Sequence, residues 1–280
     1  MDIRAIKVVR MAAGEDAAAW RDALAKPGWA DAATVLKEDR GSWVRRANLL
    51  GRDVVVKCRE LNTIGRRFKH AIGMGHGAKH WRGAERLKKA GIATGRPLAF
   101  VRAGVDGAES ELLVVEFVQG KSLLQILSEI AGGDGPPVRV QHAIARAVGR
   151  QAAVFGRWTI YNRDYKPSNL VVISANEREA VIAVIDCVGV YRPLLWRGAS
   201  EYMKTLKTLA VEAIGCGVAP RRALMARVIE ARADEVVWMI PRWASRARRQ
   251  WLWHGVAVRI KWHGDPRPRV NPLAENRQSR

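Results

Sequence analysis

Cysteine, long apolar runs and, against the number of bases, acidic residues are scarce in this chain, and each shortage bears on what class of protein it can be. Only three cysteines occur, Cys58, Cys187 and Cys216. Odd in number, far apart and never in C-x-x-C spacing, they support neither a disulfide framework nor a zinc site and suit a reducing cytoplasm. No stretch approaches the ~20 apolar residues of a membrane span. The N-terminal segment carries Asp2, Arg4, Lys7, Arg10, Glu15 and Asp16 with no apolar leader core, so secretion and membrane spanning are both unexpected. No self-similarity at the periods of repeat proteins is present. Acids are the scarcest charged class, with 27 Asp and Glu against 48 Lys and Arg, a net charge of +21 and an isoelectric point near 10.8. Such an excess implies attraction to something anionic: nucleic acid, acidic lipid headgroups or a phosphorylated substrate. Solvated helix faces in a basic proteome would give the same sign.

What is present suffices for a sizeable core. A chain of 280 residues with 48% hydrophobic content fits one large bilobal domain or two small ones. Residues 1–32 read as an amphipathic lead-in, with helix expected over Asp16–Ala25. From Val35 to Cys58, alternation with turn signals at Asp39-Arg40-Gly41 and Gly51-Arg52-Asp53 predicts successive antiparallel strands, the last carrying Lys57. A lysine in a valine-rich strand needs either a phosphate-like partner or an outward-facing edge position. Gly41 and Ser42 in the preceding turn are candidates to fold over phosphates. A cationic segment, 62–90, sets Arg66, Arg67, Lys69, Lys79 and Arg82 among Phe68, Trp81 and Leu87, is broken by Gly73-Met-Gly-His-Gly77, and resumes as a helix over Ala78–Ala90. Glu85 is the only acid between Glu60 and Asp106 and is the candidate partner of Lys57, unless it balances its basic neighbours. A hairpin follows, Leu98–Val101 and Leu112–Val118 about Asp106-Gly107, its second strand apolar on both faces. The strand exit, Glu116 to Val118 and on through Gln119-Gly-Lys-Ser122, offers backbone groups to an adenine edge. Helices are expected at Leu123–Ile130 and Val138–Trp158, the latter with Ile144, Val148, Ala152 and Phe155 on one face, and again at Ser200–Ile214 and Pro220–Val237.

Residues 161–172 read Tyr-Asn-Arg-Asp-Tyr-Lys-Pro-Ser-Asn-Leu-Val-Val, with Asp164 and Asn169 five positions apart, Lys166 between them and a strand following. That is the spacing of a phosphotransferase catalytic loop, in which the Asp accepts the attacking hydroxyl's proton and the Asn holds magnesium. The same residue types populate surface turns. The succession of Lys-bearing strand, helix, hairpin, long helix, loop and a second strand ending in Asp186 favours the catalytic reading.

Val-Val-Val-Lys57, Arg86-Leu-Lys-Lys-Ala-Gly-Ile-Ala-Thr-Gly-Arg-Pro-Leu-Ala99, Leu112-Leu-Val-Val-Glu-Phe-Val-Gln-Gly120, Asn162-Arg-Asp-Tyr-Lys-Pro-Ser-Asn169 and Val184-Ile-Asp186, taken together, resemble the lipopolysaccharide core kinases. These are the bacterial Kdo and heptose kinases, relatives of protein kinases, and the resemblance covers about residues 35–215. It implies an α+β, bilobal, protein-kinase-like fold with a small antiparallel-sheet N-lobe and a mainly helical C-lobe. It also implies ATP and magnesium, and phosphoryl transfer to a sugar hydroxyl of a lipid-linked acceptor at the cytoplasmic face of the inner membrane. Domain bounds then fall at 1–32, 33–118 for the N-lobe, 119–263 for the C-lobe and 264–280 for a loose tail. Carried over by position, Lys57 contacts nucleotide phosphates, Asp164 is the base, Lys166 steadies the transferring group, and Asn169 and Asp186 ligate metal. The chain departs from the protein-kinase pattern at Asn162, where His is usual, and at Cys187-Val-Gly189 after Asp186, and from the family's own pattern at His80, just before Trp81, where the helix acid is common. A kinase for a small molecule or protein, or a catalytically silent module binding anionic lipid or nucleic acid, stands as the alternative.

Between Trp238 and Trp262, five tryptophans are interleaved with Arg242, Arg246, Arg248, Arg249, Arg259 and Lys261. The mixture suits a peripheral contact with an anionic membrane, or plain packing, with single-stranded nucleic acid behind these.

Overall fold

The computed structural model describes residues 1–193 and, beyond them, Thr205, Thr208, Leu209, Leu224, Arg227, Val228, Ala231 and Gln250. The helices expected at 200–214 and 220–237, the Trp- and Arg-rich stretch and the tail therefore lie outside the described residues, isolated positions aside. In chain order the elements are β1 (Ile3–Met11), α1 (Ala17–Ala25), α2 (Trp29–Ala32), β2 (Thr34–Asp39), β3 (Ser42–Leu49), β4 (Arg52–Glu60), α3 (Ile64–Ala71), α4 (His76–Lys89), β5 (Ala93–Thr94), β6 (Pro97–Val105), β7 (Ala108–Glu116), β8 (Lys121–Ser122), α5 (Leu123–Gly132), α6 (Val138–Arg157), β9 (Tyr161–Asn162), β10 (Leu170–Ala175), β11 (Ala180–Val184) and β12 (Val190–Tyr191). The described residues form two compact units, one of Met1–Glu85 with Gly95–Phe117, the other of Arg86–Thr94 with the described residues from Val118 onward.

The first unit is a six-stranded antiparallel sheet in the order β1-β6-β7-β4-β3-β2. The hairpin of β6 and β7 closes through Asp106 and Gly107, both at positive φ (47° and 81°), the conformation whose twist matches a two-residue hairpin turn. Strand alternation divides the core in two. Val54, Val56, Cys58, Leu112 and Val114 face Trp20 and Leu24 of α1, whereas Val55, Leu113 and Val115 face Trp81 of α4 and Phe100. Asp16 caps α1 by accepting the Ala18 N–H at 2.8 Å. Strand β1 had no counterpart among the expected elements. It is an edge strand with two register shifts and positive φ at Ala5, so its side chains never alternate cleanly.

Beside the start of α1, the side chain of Glu15 is only 5% exposed, and it binds Arg52 (2.8 Å), Arg96 (3.2 Å) and the Trp20 indole N–H (3.0 Å). Burial alone would raise its pKa, but the hydrogen bonds from Arg52 and Trp20, with the charges of Arg52 and Arg96, together hold it below the ordinary value. Cys58, packed in the core, has its thiol pushed up to about 12 by burial.

In the second unit, β5-β11-β10-β8 form a small sheet, with β5 parallel to β11 and the other neighbours antiparallel. Ser122 caps α5 by accepting from Gln125 N, and Gly133 (φ 89°) ends it. Helix α6 buries Ile144, Val148, Ala152 and Phe155 together, as its periodicity requires. Gly120, at φ 143°, lies so close to β10 that a Cβ would stand 2.2 Å from the Val172 carbonyl oxygen, which only glycine permits. No helix among the described residues is long and apolar enough to cross a membrane.

Candidate active site

The catalytic-loop candidates are held by three anchors within the second unit. The first is Tyr165, between Asp164 and Lys166. Its ring is fully buried against Phe155, edge to face at 5.1 Å, and its hydroxyl donates to Gln151 Oε1 at 2.7 Å. Gln151 in turn donates to the Ile182 carbonyl at 2.9 Å, tying α6 to β11. Burial raises the Tyr165 pKa, so the hydroxyl stays a donor.

The second anchor is the two-stranded pairing of β9 with β12, reinforced by Arg163 N donating to Gly189 O at 3.1 Å. Asn162, at the position where a kinase loop usually carries His, is 0% exposed, and its Oδ1 accepts the Asp164 N–H at 2.9 Å. A Cβ on Gly189 would stand 2.5 Å from Asp164 Oδ2 and 2.8 Å from Asn162 Oδ1. The missing side chain at 189 thus makes room for the Asp164 carboxylate.

The third anchor is the Asp164 carbonyl oxygen, which accepts both Lys166 N and Asn169 Nδ2 at 2.9 Å. This bond engages the amide nitrogen of Asn169 and not its amide oxygen. Its backbone carbonyl accepts Ile185 N at 3.0 Å, bringing in the residue before Asp186, whose Oδ1 accepts Val188 N at 3.2 Å. Thr94 secures this strand end from below, donating to Val184 O at 2.7 Å and meeting Cys187 Sγ at 3.1 Å. Asp164, Asn169 and the Asp186 turn are thereby brought together. Asp164 is half-exposed and also meets Arg163 Nε at 3.2 Å, a solvent-screened pair of little energetic weight.

An amide oxygen and a carboxylate fit a hard, oxygen-preferring cation such as magnesium, which takes few protein ligands and completes its shell with phosphate and water. They do not fit zinc, and among the described residues no cluster of three or more His, Cys, Asp or Glu side chains exists.

The remaining candidates lie at the first unit or its exit. Lys57 sits on β4 opposite Val44 and Leu113, on an interior strand between β3 and β7, which removes the edge-strand reading. Gly41 and Ser42 make the β2–β3 turn, where Gly41 (φ 74°) gives its carbonyl to Glu60 N at 2.9 Å. Glu116 ends β7 with its N–H donated to Arg96 O, and Val118 follows in the connecting strand exit.

Glu85 corrects the expectation. Instead of pairing with Lys57, its Oε1 accepts Arg10 Nη2 at 2.7 Å and the Trp81 indole at 3.1 Å. One helical turn separates Trp81 from Glu85, so the carboxylate follows the indole toward β1, while His80 occupies the buried side. The residues that sequence reasoning passed over are Tyr165, Gln151, Gly189 and Thr94. The one available signal was an aromatic residue inside an otherwise polar turn.

A lysine-bearing antiparallel sheet and a helical unit carrying a D-x-x-x-x-N loop before a strand and Asp define the kinase-like class of phosphotransferases. The family model described as "Lipopolysaccharide kinase (Kdo/WaaP) family" matches residues 29–188, and the chain belongs to that family, whose members are kinases acting on hydroxyl acceptors. Among solved structures, the chain is similar to WaaP in complex with acyl carrier protein, at 20% identity over 82% of this chain and 90% of that one, with a TM-score of 0.55. The BubR1 kinase domain also matches, at 10% identity over 81% and 83% of the two chains and a TM-score of 0.45. No curated sequence matches the chain significantly.

Proposed function

We propose that the protein transfers the γ-phosphoryl group of ATP to a sugar hydroxyl of a lipopolysaccharide core or related glycolipid precursor, as a peripheral enzyme at the cytoplasmic face of the inner membrane. The reading is supported above all by the hydrogen-bonded arrangement of Asp164, Asn169 and the Asp186 turn. In it, the Asp164 carboxylate accepts the proton of the attacking hydroxyl as that oxygen bonds to the γ-phosphorus and the bond to the leaving ADP oxygen breaks. Asn169 Oδ1 and the Asp186 carboxylate would hold magnesium, which would supply neutralisation of phosphate charge. On the family resemblance, Lys57 serves the nucleotide phosphates, Lys166 the transferring group, and the Gly41–Ser42 turn and the backbone from Glu116 to Val118 the nucleotide. Phosphoryl transfer needs positioning and charge neutralisation more than covalent help, so this set is chemically sufficient.

The test is transfer from labelled ATP with magnesium to total lipopolysaccharide, comparing wild type with Asp164→Asn. The expected outcome is label incorporation by wild type and a loss of about 10²–10⁴-fold in the variant, with ATP binding retained. Equal rates would remove Asp164 from the role of base. No transfer by either, with tight and steeply salt-dependent RNA or DNA binding, would replace the enzyme reading with that of a silent binding module.

A further inference from the structure

Helix α3 is amphipathic the wrong way round for a helix serving its own fold. It has no buried residue. At about 100° per residue, Ile64, Phe68 and Ile72 share one stripe, while Arg66 and His70 lie about 160° from Phe68. The polar stripe is the one that holds the helix down. His70 Nδ1 lies 3.2 Å from Glu111 Oε2, Arg66 Nη1 donates to Asn62 Oδ1 (2.8 Å) and Glu60 O (3.3 Å), and Arg67 Nε donates to Leu61 O (3.0 Å). The apolar stripe is turned outward. Ile64 is 87% exposed, Phe68 62%, Ile72 50% and nearby Met74 49%. Four of the twelve large apolar side chains exposed among the described residues fall in this short segment, a cluster and not the usual scatter.

Charge indicates the occupant. No Asp or Glu occurs from Leu61 to Ala84, whereas Arg66, Lys69, Lys79 and Arg82 do. Arg66 is bonded only to uncharged oxygens, Arg67 is paired with Glu109 Oε2 at 3.3 Å, and Lys69 is exposed at the border of the apolar stripe. A second copy meeting this face about a two-fold axis would set these cations against their equivalents. An apolar stripe bordered by lysine and arginine matches the acyl–headgroup boundary of an anionic bilayer.

We infer that α3 is a membrane-docking helix, which inserts Ile64, Phe68 and Ile72 into the interface of an anionic lipid surface while Arg66 and Lys69 meet the headgroups. The inference does not depend on the phosphotransfer reading, and it places a lipid contact far in sequence from the Trp- and Arg-rich C-terminal stretch.

The test uses the full chain with an environment-sensitive fluorophore on Phe68→Cys, in a Cys216→Ser background, because Cys58 and Cys187 are buried. A second dye site at Glu177→Cys, on the β10–β11 turn, serves as control. Vesicles of phosphatidylglycerol and phosphatidylcholine are expected to blue-shift the dye at 68 and not at 177, and pure phosphatidylcholine to have much less effect. In flotation, Ile64→Ser/Phe68→Ser should weaken binding by about tenfold or more and Lys69→Gln by about fivefold, lessened by salt. Both variants change exposed side chains, so unaltered thermal melting is expected. An unshifted dye at 68 on anionic vesicles, or full binding by the double serine variant, overturns the inference. A dye response that follows protein concentration without lipid, together with a dimer in sedimentation, overturns it in favour of self-association.

Discussion

Alanine at position 189 isolates what the placement of Asp164 is worth. The added Cβ would lie 2.5 Å from Asp164 Oδ2, 2.8 Å from Asn162 Oδ1 and 3.0 Å from Asp164 Cβ, where ordinary contact starts at 3.4 Å. Something must retreat, and the surroundings decide what. Residue 189 cannot move easily, because its carbonyl holds Arg163 N and its neighbour Val190 pairs with Asn162. Asn162 is fully buried, and its amide oxygen is bound to Asp164 N. The half-exposed carboxylate is the only compliant party, so it swings away by about 1 Å, a displacement that costs on the order of 100-fold in rate when it befalls a catalytic group. Overpacking should cost about 1–3 kcal/mol of stability. The expected result is therefore a kcat about 10²-fold lower in phosphoryl transfer to lipopolysaccharide, with ATP affinity within about twofold of wild type and a folded protein by circular dichroism. A Gly189→Ala enzyme with wild-type kcat would refute the argument, because it would mean that the Asp164 carboxylate need not occupy the position seen here.

Tyr165→Phe leaves the Gln151 carbonyl oxygen buried without its donor, and should lower stability by about 1–3 kcal/mol in chemical denaturation, with kcat falling as the loop loosens. A variant as stable as wild type would dismiss the Tyr165–Gln151 bond as an anchor. Glu15 titrates lower folded than unfolded, so its stabilisation is complete above the unfolded value of about 4.3 and drains as pH falls through the folded value. The gap in melting temperature between wild type and Glu15→Gln should then be open at pH 7 and narrow toward pH 3, and a pH-independent gap would contradict the charge-pair account. Cys58, with its thiol pushed up to about 12, should resist iodoacetamide at pH 8 in the native protein and react once urea unfolds the chain, as read by peptide mass spectrometry.

Features governed by a single period or a fixed spacing were readable in advance. The double-faced burial of β7, the apolar face of α6 and the hairpin at Asp106-Gly107 each follow from a local rule, and the D-x-x-x-x-N loop was visible as a spacing. What escaped depended on partners distant in the chain. Strand β1 hides its period behind two register shifts, and Glu15 looks like a surface acid until Arg52 and Arg96 close over it. Tyr165 sits in a turn-like string, yet α6 supplies both its cavity and its hydrogen-bond acceptor. Glu85 was the most plausible partner for Lys57 by elimination, but elimination along a sequence cannot see that Arg10 arrives from β1.

That same β1 has a bearing on how the chain may be shortened. It covers the outer rim of β6, whose residues from Pro97 to Val101 are all buried. A version beginning after Met11 would bare a straight, greasy row of unpaired amides and carbonyls, onto which another molecule can zip its own strand. Clumping of such a truncated protein would then reflect a lost seal on the sheet, not damage to the phosphotransfer machinery.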